Sequence, residues 1–283
     1  MNFQKMLAIS RPRFWVYTAG TFAVGVVAAI QGDIELAWWE VVVWGVYWTL
    51  PANLLLYGLN DMFDYETDIQ NPKKQHYEKL LYPAERPQLL QLIGLTHLPW
   101  LLLAWVLPQP ALWGLLLFWV LGAAYSVPPL RLKIRHVLDS LSNGLYIMPG
   151  VMGFGLIAST LPSLQAVVAG IFWCMAMHAF SAVPDIAADR RASLRTIATE
   201  LGGKRTVMVC LVWYGLAAGL AWPYLGFVSV LLGFVYVAMM AVTWYDFSLD
   251  RTFRIYRWFP SINTMVGMVI FLTALISSDL AGV

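Results

Sequence analysis

The chain alternates long apolar stretches with short polar ones. Nine stretches are long enough to cross a bilayer, at roughly 14–31, 36–59, 89–107, 110–127, 138–159, 163–182, 205–222, 224–245 and 259–277. A hydrocarbon core about 30 Å thick takes about 20 helical residues. A chain inside it must satisfy its own backbone hydrogen bonds, which an apolar helix does. The pattern therefore predicts an all-α membrane protein of nine transmembrane helices, one domain over residues 1–283. Pro108, Pro110, Pro162 and Pro223 mark tight connections on one side. The opposite connections are longer, the largest being 60–88 and 183–204. Each of these two opens on an acidic cluster, four spans apart, as expected for a parallel duplication of a four-helix unit followed by a ninth helix.

Composition agrees. Of 283 residues 60% are hydrophobic and only 12% charged, about half the charge of a soluble domain. The net charge of +2 matters less than its distribution. With these spans all 18 Lys and Arg fall on one side: Lys5 to Arg13, Lys73 to Arg86, Arg131 to Arg135, Arg190 to Arg205 and Arg251 to Arg257. The opposite loops hold only Asp33, Glu35 and Asp279. The positive-inside rule puts the N-terminus and the long loops in the cytoplasm and the C-terminus outside; the expected location is the cell (plasma) membrane. The basic residues then serve topology, and no nucleic-acid partner is expected. Arg11-Pro12-Arg13 ahead of the first span, without a small-residue cleavage site, argues against a cleaved signal. Cys174 and Cys210 lie inside apolar runs and read as packing residues.

The acidic clusters carry the candidate chemistry. They are Asn60-Asp61-Met62-Phe63-Asp64-Tyr65-Glu66-Thr67-Asp68 and Asp185-Ile186-Ala187-Ala188-Asp189. On one helix Asn60, Asp64 and Asp68 would drift by only about 40° per step, so all three can face one cavity. Asp61 points about a quarter-turn away, which suits a supporting role beside a metal. Asp185 and Asp189 repeat the four-residue step. Two carboxylates per cluster suit Mg²⁺, which keeps several waters and bridges to phosphate oxygens. Arg131, Lys133, Arg190 and Arg11 or Arg13 are candidate partners for a diphosphate, with Tyr125 as a hydrogen-bond donor. Pro128-Pro129 stops the fourth helix and stiffens the turn bearing Arg131 and Lys133. Metal and cations together stabilise diphosphate as a leaving group, and the carbocation left behind needs a dry, aromatic-lined pocket.

Asn60 to Asp68, Asp185 to Asp189 and the Tyr125 to Lys133 stretch between them resemble the signature of the UbiA superfamily of intramembrane prenyltransferases. The resemblance covers nearly the whole chain. It implies a bundle of nine helices around a central cavity, Mg²⁺, and a prenyl diphosphate donor (dimethylallyl diphosphate or longer) in the lipid bilayer. Asp64, Asp68, Asp185 and Asp189 would hold the metal with Asn60 assisting; Lys133, Arg131 and Tyr125 would engage the diphosphate. The run His178 to Arg191, with Ser181-Ala182-Val183-Pro184 leading into Asp185, looks most like the lycopene elongase branch. That branch implies a carotenoid acceptor whose alkene attacks the allylic cation, followed by proton loss or water addition. Two departures stand out. Gln88-Leu89-Leu90 follows Arg86-Pro87 where small residues are common, and Ser193 stands where Gly is frequent.

Two other functions are weighed. The same fold can act on an aromatic or quinone precursor, a chlorin or a lipid, but an anionic acceptor would want a positive contact, and no basic residue lies inside any span beyond Arg205 at the edge of the seventh. A cation-coupled transporter would place its acids near the midplane of inverted repeats, whereas these sit at one edge. His97 and His178 read as helix-packing histidines. Gly150, Gly153 and Gly155, and likewise Gly215 and Gly219, are expected to let helices approach closely.

Overall fold

The computed structural model describes residues 1–30, 37–69 and 79–281. Among them there are helices and turns and no strands. Eight helices are long and apolar enough to cross a membrane. They follow a shorter apolar helix, α1 (Val16–Ala29), and are α2 (Trp38–Phe63), α3 (Pro83–Val106), α4 (Gln109–Ser126), α5 (Leu138–Ala158), α6 (Leu164–Ala182), α7 (Gly203–Leu225), α8 (Phe227–Tyr245) and α9 (Phe259–Ser277). Within the described residues each of the nine expected stretches carries helix, but α1 falls short of full span length. Its first expected residues belong to a Pro12–Phe14 3₁₀ turn, and Ile30 is already extended. At 1.5 Å per residue α1 covers on the order of 20 Å.

The chain forms two compact units. The first comprises Met1–Leu130 with Met148–Leu161, the second Arg131–Ile147 with Pro162–Val283. The fifth apolar helix is therefore shared: its first half belongs to the second unit and its second half to the first.

In the first unit α2 is interrupted between Tyr47 and Leu50. Pro51 lacks an N–H and its ring crowds the carbonyl one turn back, so the helix breaks there. Polar side chains repair the break. Buried Asn53 Nδ2 donates to the Trp48 and Thr49 carbonyls at 3.1 and 2.7 Å, and the Thr18 hydroxyl donates to Trp48 O at 2.6 Å. Close packing depends on glycine. A Cβ placed on Gly25 would lie 2.1 Å from Gly150 O, and one on Gly153 would lie 2.4 Å from Phe22 O. Gly155 is similarly pressed on Ala111, so the expected role of these glycines in α5 holds.

In the second unit α6, α7, α8 and α9 share an aromatic core. Phe180 stacks on Phe259 at 4.9 Å and Tyr214 on Tyr236 at 4.5 Å. Cys174 and Cys210 are buried free thiols, as their apolar settings suggested. The expectation for Gly215 and Gly219 fails: a Cβ at either meets nothing within 4 Å. Their four-residue spacing looks like a contact stripe, but no neighbouring helix presses on it.

Candidate active site

The first acidic cluster lies at the end of α2, and the helix does not run through it. Its last helical residue is Phe63, and Asp64 leaves the helix with φ −112° and ψ 7°. A single further turn, Tyr65–Asp68, follows, and Asp68 N–H donates to Asp64 O at 2.7 Å. The single continuous face expected for Asn60, Asp64 and Asp68 is thus broken at Asp64, while the step from Asp64 to Asp68 survives. Asp and Thr compete with the backbone for hydrogen bonds and are poor helix formers, which favours an end here. Asn60 and Asp64 are half-buried and Asp68 is buried. Ser126, at the end of α4, donates to Asn60 Oδ1 at 3.3 Å, tying the residue after Tyr125 to the cluster. Tyr125 itself is half-buried.

Asp61 is buried, and Arg11 Nη2 meets its Oδ1 at 2.8 Å. The same guanidinium lies over the Tyr57 ring, 4.6 Å from its centre. Asp61 thereby fixes Arg11 beside the cluster. Asp68 also borders a cavity of about 820 Å³ whose wall includes Lys5, Tyr82 and Glu85.

The second cluster begins where α6 ends. Asp185 is the N-cap of a short helix, Ile186–Arg191, and Asp189 N–H donates to Asp185 O at 2.9 Å. Both carboxylates are half-buried. The chain then turns sharply: Leu194 N–H donates to Asp189 O at 2.9 Å, and Ser193 takes the left-handed φ of 56°. That conformation is where glycine is least strained, which accounts for the glycine that the family resemblance leads one to expect at this position. Thr196 and Thr199 cap the helix Ile197–Leu201 reciprocally. Arg190 is exposed, and its Nη2 donates to Thr199 O at 3.1 Å, bracing this turn. Exposed Glu200 accepts from Arg195 Nε at 2.8 Å, and burial opposes only weakly the fall of its carboxyl below the ordinary range that this bond and the guanidinium charge produce.

The basic loop follows α4. Arg131 has φ 40°, and a 3₁₀ turn, Leu132–Ile134, carries Lys133. Both side chains are half-buried. Arg131 and Lys133 belong to the second unit with Asp185, Asp189 and Arg190. Arg11, Asn60, Asp61, Asp64, Asp68 and Tyr125 belong to the first. Among the described residues no three His, Cys, Asp or Glu side chains gather into a preformed metal cage.

Residues 18–273 match the model of the UbiA prenyltransferase family. The chain belongs to the UbiA prenyltransferase family. It is 40% identical over 271 residues to a lycopene elongase/hydratase of Haloarcula japonica, covering 95% of this chain and 90% of that one. A lycopene elongase/hydratase of Halobacterium salinarum is 40% identical over 269 residues, covering 94% and 95%. Among solved structures, a UbiA homolog from Archaeoglobus fulgidus bound to GPP and Mg²⁺ superposes with a TM-score of 0.65 at 16% identity, covering 94% of this chain and 99% of that one. At that identity the likeness establishes the fold. The protein is a prenyltransferase built as an integral membrane bundle.

This UbiA prenyltransferase also has polar residues near its second cluster that the sequence reading passed over. Asp139, at the start of α5, is fully buried. Its Oδ2 accepts from Ile197 N–H at 2.8 Å and lies 3.9 Å from His178 Nε2. A carboxylate just inside an apolar span was the available signal, since acids there are costly and rarely idle. Its partners are 39 and 58 positions away, beyond any spacing rule. His97, by contrast, has the setting of a packing histidine, with Nδ1 2.8 Å from Ile93 O and its ring edge-on to Tyr47 at 5.6 Å.

Proposed function

We propose that this enzyme carries out the Mg²⁺-dependent transfer of an isoprenyl group from an allylic diphosphate, dimethylallyl diphosphate or a longer one, to lycopene or a related carotenoid. The observation that carries the reading is the likeness, over nearly the full length of both chains, to lycopene elongase/hydratases at 40% identity. The basic residues inside the apolar spans are confined to their ends, Arg86 at the foot of α3 and Lys204 and Arg205 at the foot of α7, which supports an acceptor without charge.

The donor set fits magnesium. Asp64 and Asp68, with Asn60 assisting, and Asp185 and Asp189 offer hard oxygen ligands, and the few carboxylates leave room for waters and diphosphate oxygens. When bound, the metal would neutralise charge on the departing diphosphate. Lys133 and Arg131 on their stiff turn, and Tyr125 through its hydroxyl, would take further oxygens of the diphosphate. Asp61 would hold Arg11 on the diphosphate side of the first cluster, and Arg190 would shape the loop that carries Asp189. The acceptor alkene then attacks the allylic carbon, and the resulting cation loses a proton or takes up water. The segregation of Lys and Arg supports a cytoplasmic placement of both clusters in the plasma membrane, with the C-terminus outside.

Membranes bearing the protein, given Mg²⁺, dimethylallyl diphosphate and lycopene, should yield longer carotenoids, some carrying oxygen from water. Prenylation of an aromatic acid in place of lycopene under the same conditions would overturn the acceptor assignment.

A further inference from the structure

We propose that His178, oriented by Asp139, accepts the proton released at the acceptor, a role that rests on the elongase/hydratase reading above. The transfer must release one proton. As the donor C–O bond breaks and diphosphate leaves, the acceptor's C=C pair forms the new C–C bond and leaves a tertiary cation. Either a neighbouring C–H gives its proton to His178 and its electron pair closes an alkene, or a water adds and gives its proton to His178. The imidazolium then returns the proton to solvent or to the released diphosphate.

The geometry singles out this pair. His178 lies on α6 about one turn before its last residue, Ala182, hence on the order of 6 Å inside the helix end from which the second cluster begins. That depth suits the acceptor end of the reaction better than the diphosphate end. Its side chain is 16% exposed, so it is not sealed in the core. Nε2 faces Asp139 Oδ2 at 3.9 Å, and catalytic contacts are commonly long before substrate binds. Asp139 is locked from the other side by Ile197 N–H at 2.8 Å, while its Oδ1, also buried, has no hydrogen bond among the described residues. Burying a carboxylate so incompletely satisfied is costly. A carboxylate held beside an imidazole orients the ring and stabilises the imidazolium that forms when it takes a proton. Packing alone does not explain the arrangement, because His97 packs in its span against a carbonyl and aromatic rings instead.

The test uses the full-length protein in lipid with Mg²⁺ and dimethylallyl diphosphate, reading elongated carotenoid with lycopene present and slow diphosphate release with lycopene absent. His178→Gln should lower kcat for elongation by about 10²-fold or more, the usual worth of a general base. The KM for donor and the acceptor-free diphosphate release should stay as in wild type, because the interaction is made only after ionisation. Asp139→Asn, which keeps the volume, should move kcat the same way by less. Wild-type kcat in His178→Gln, or an equal loss of acceptor-free diphosphate release, overturns the assignment. A wild-type protein that releases diphosphate but never elongates lycopene would instead sink the carotenoid reading, a result visible before any variant is compared.

Discussion

Gly25→Ala pits helix propensity against packing. Within a helix the exchange should gain up to about 1 kcal/mol, since Ala loses less backbone entropy than Gly. At Gly25, however, the new methyl would sit 2.1 Å from Gly150 O and 2.8 Å from Gly150 Cα. Both atoms are backbone, so no side chain can rotate away, and α1 must move off α5 by more than 1 Å to reach ordinary contact near 3.5 Å. Overpacking of this kind costs about 1–3 kcal/mol and reaches the upper end where backbone meets backbone. The net expectation is a loss of about 1–2 kcal/mol, given the propensity gain it must overcome. Gly219→Ala supplies the control, because a Cβ there meets nothing within 4 Å, so only the propensity gain should appear. The two fully buried thiols, Cys174 and Cys210, make unfolding readable with a thiol-reactive fluorophore in a thermal ramp. Gly25→Ala should melt below wild type and Gly219→Ala at or above it. Equal melting of Gly25→Ala and wild type would refute the close approach of α1 and α5.

Other outcomes follow from single sites. Ser193→Gly should raise the melting temperature slightly, because a left-handed φ costs a non-glycine residue about 1–2 kcal/mol; the same ramp reads it, and a fall would contradict the turn geometry. Arg11→Gln should destabilise by about 3 kcal/mol, the low end for breaking a buried pair, since the carboxylate it leaves is only 2% exposed. Adding Asp61→Asn should restore part of that loss in denaturation measured by circular dichroism. If the double variant is no more stable than Arg11→Gln alone, the pair is not the reason.

Much of this architecture could be read from the residues. Apolar stretches betray membrane helices because length and hydrophobicity alone define them, and among the described residues each expected stretch carries helix. What the spacing missed lies where tertiary structure overrides local pattern. Pro51 breaks α2, and Asn53 and Thr18, far apart in sequence, make the break tolerable. Asp64 ends a helix that a wheel drawn through Asn60 and Asp68 carries onward. Gly215 and Gly219 have the spacing of a packing motif but face open space, while Gly25, with no such partner in sequence, bears the tightest contact. Two carboxylates four residues apart announced themselves twice; Asp139, a lone acid whose partners are an amide and an imidazole from other segments, did not.

We propose that Asp64 and Asp185 are each required for Mg²⁺ to bind together with the diphosphate. Mn²⁺ binding read by electron paramagnetic resonance, in the presence of an unreactive thio analogue of dimethylallyl diphosphate, tests it most directly. Bound Mn²⁺ should depend on the analogue and be lost in Asp64→Asn and in Asp185→Asn alike, each variant keeping the wild-type melting temperature. Undiminished Mn²⁺ binding in either variant would contradict it.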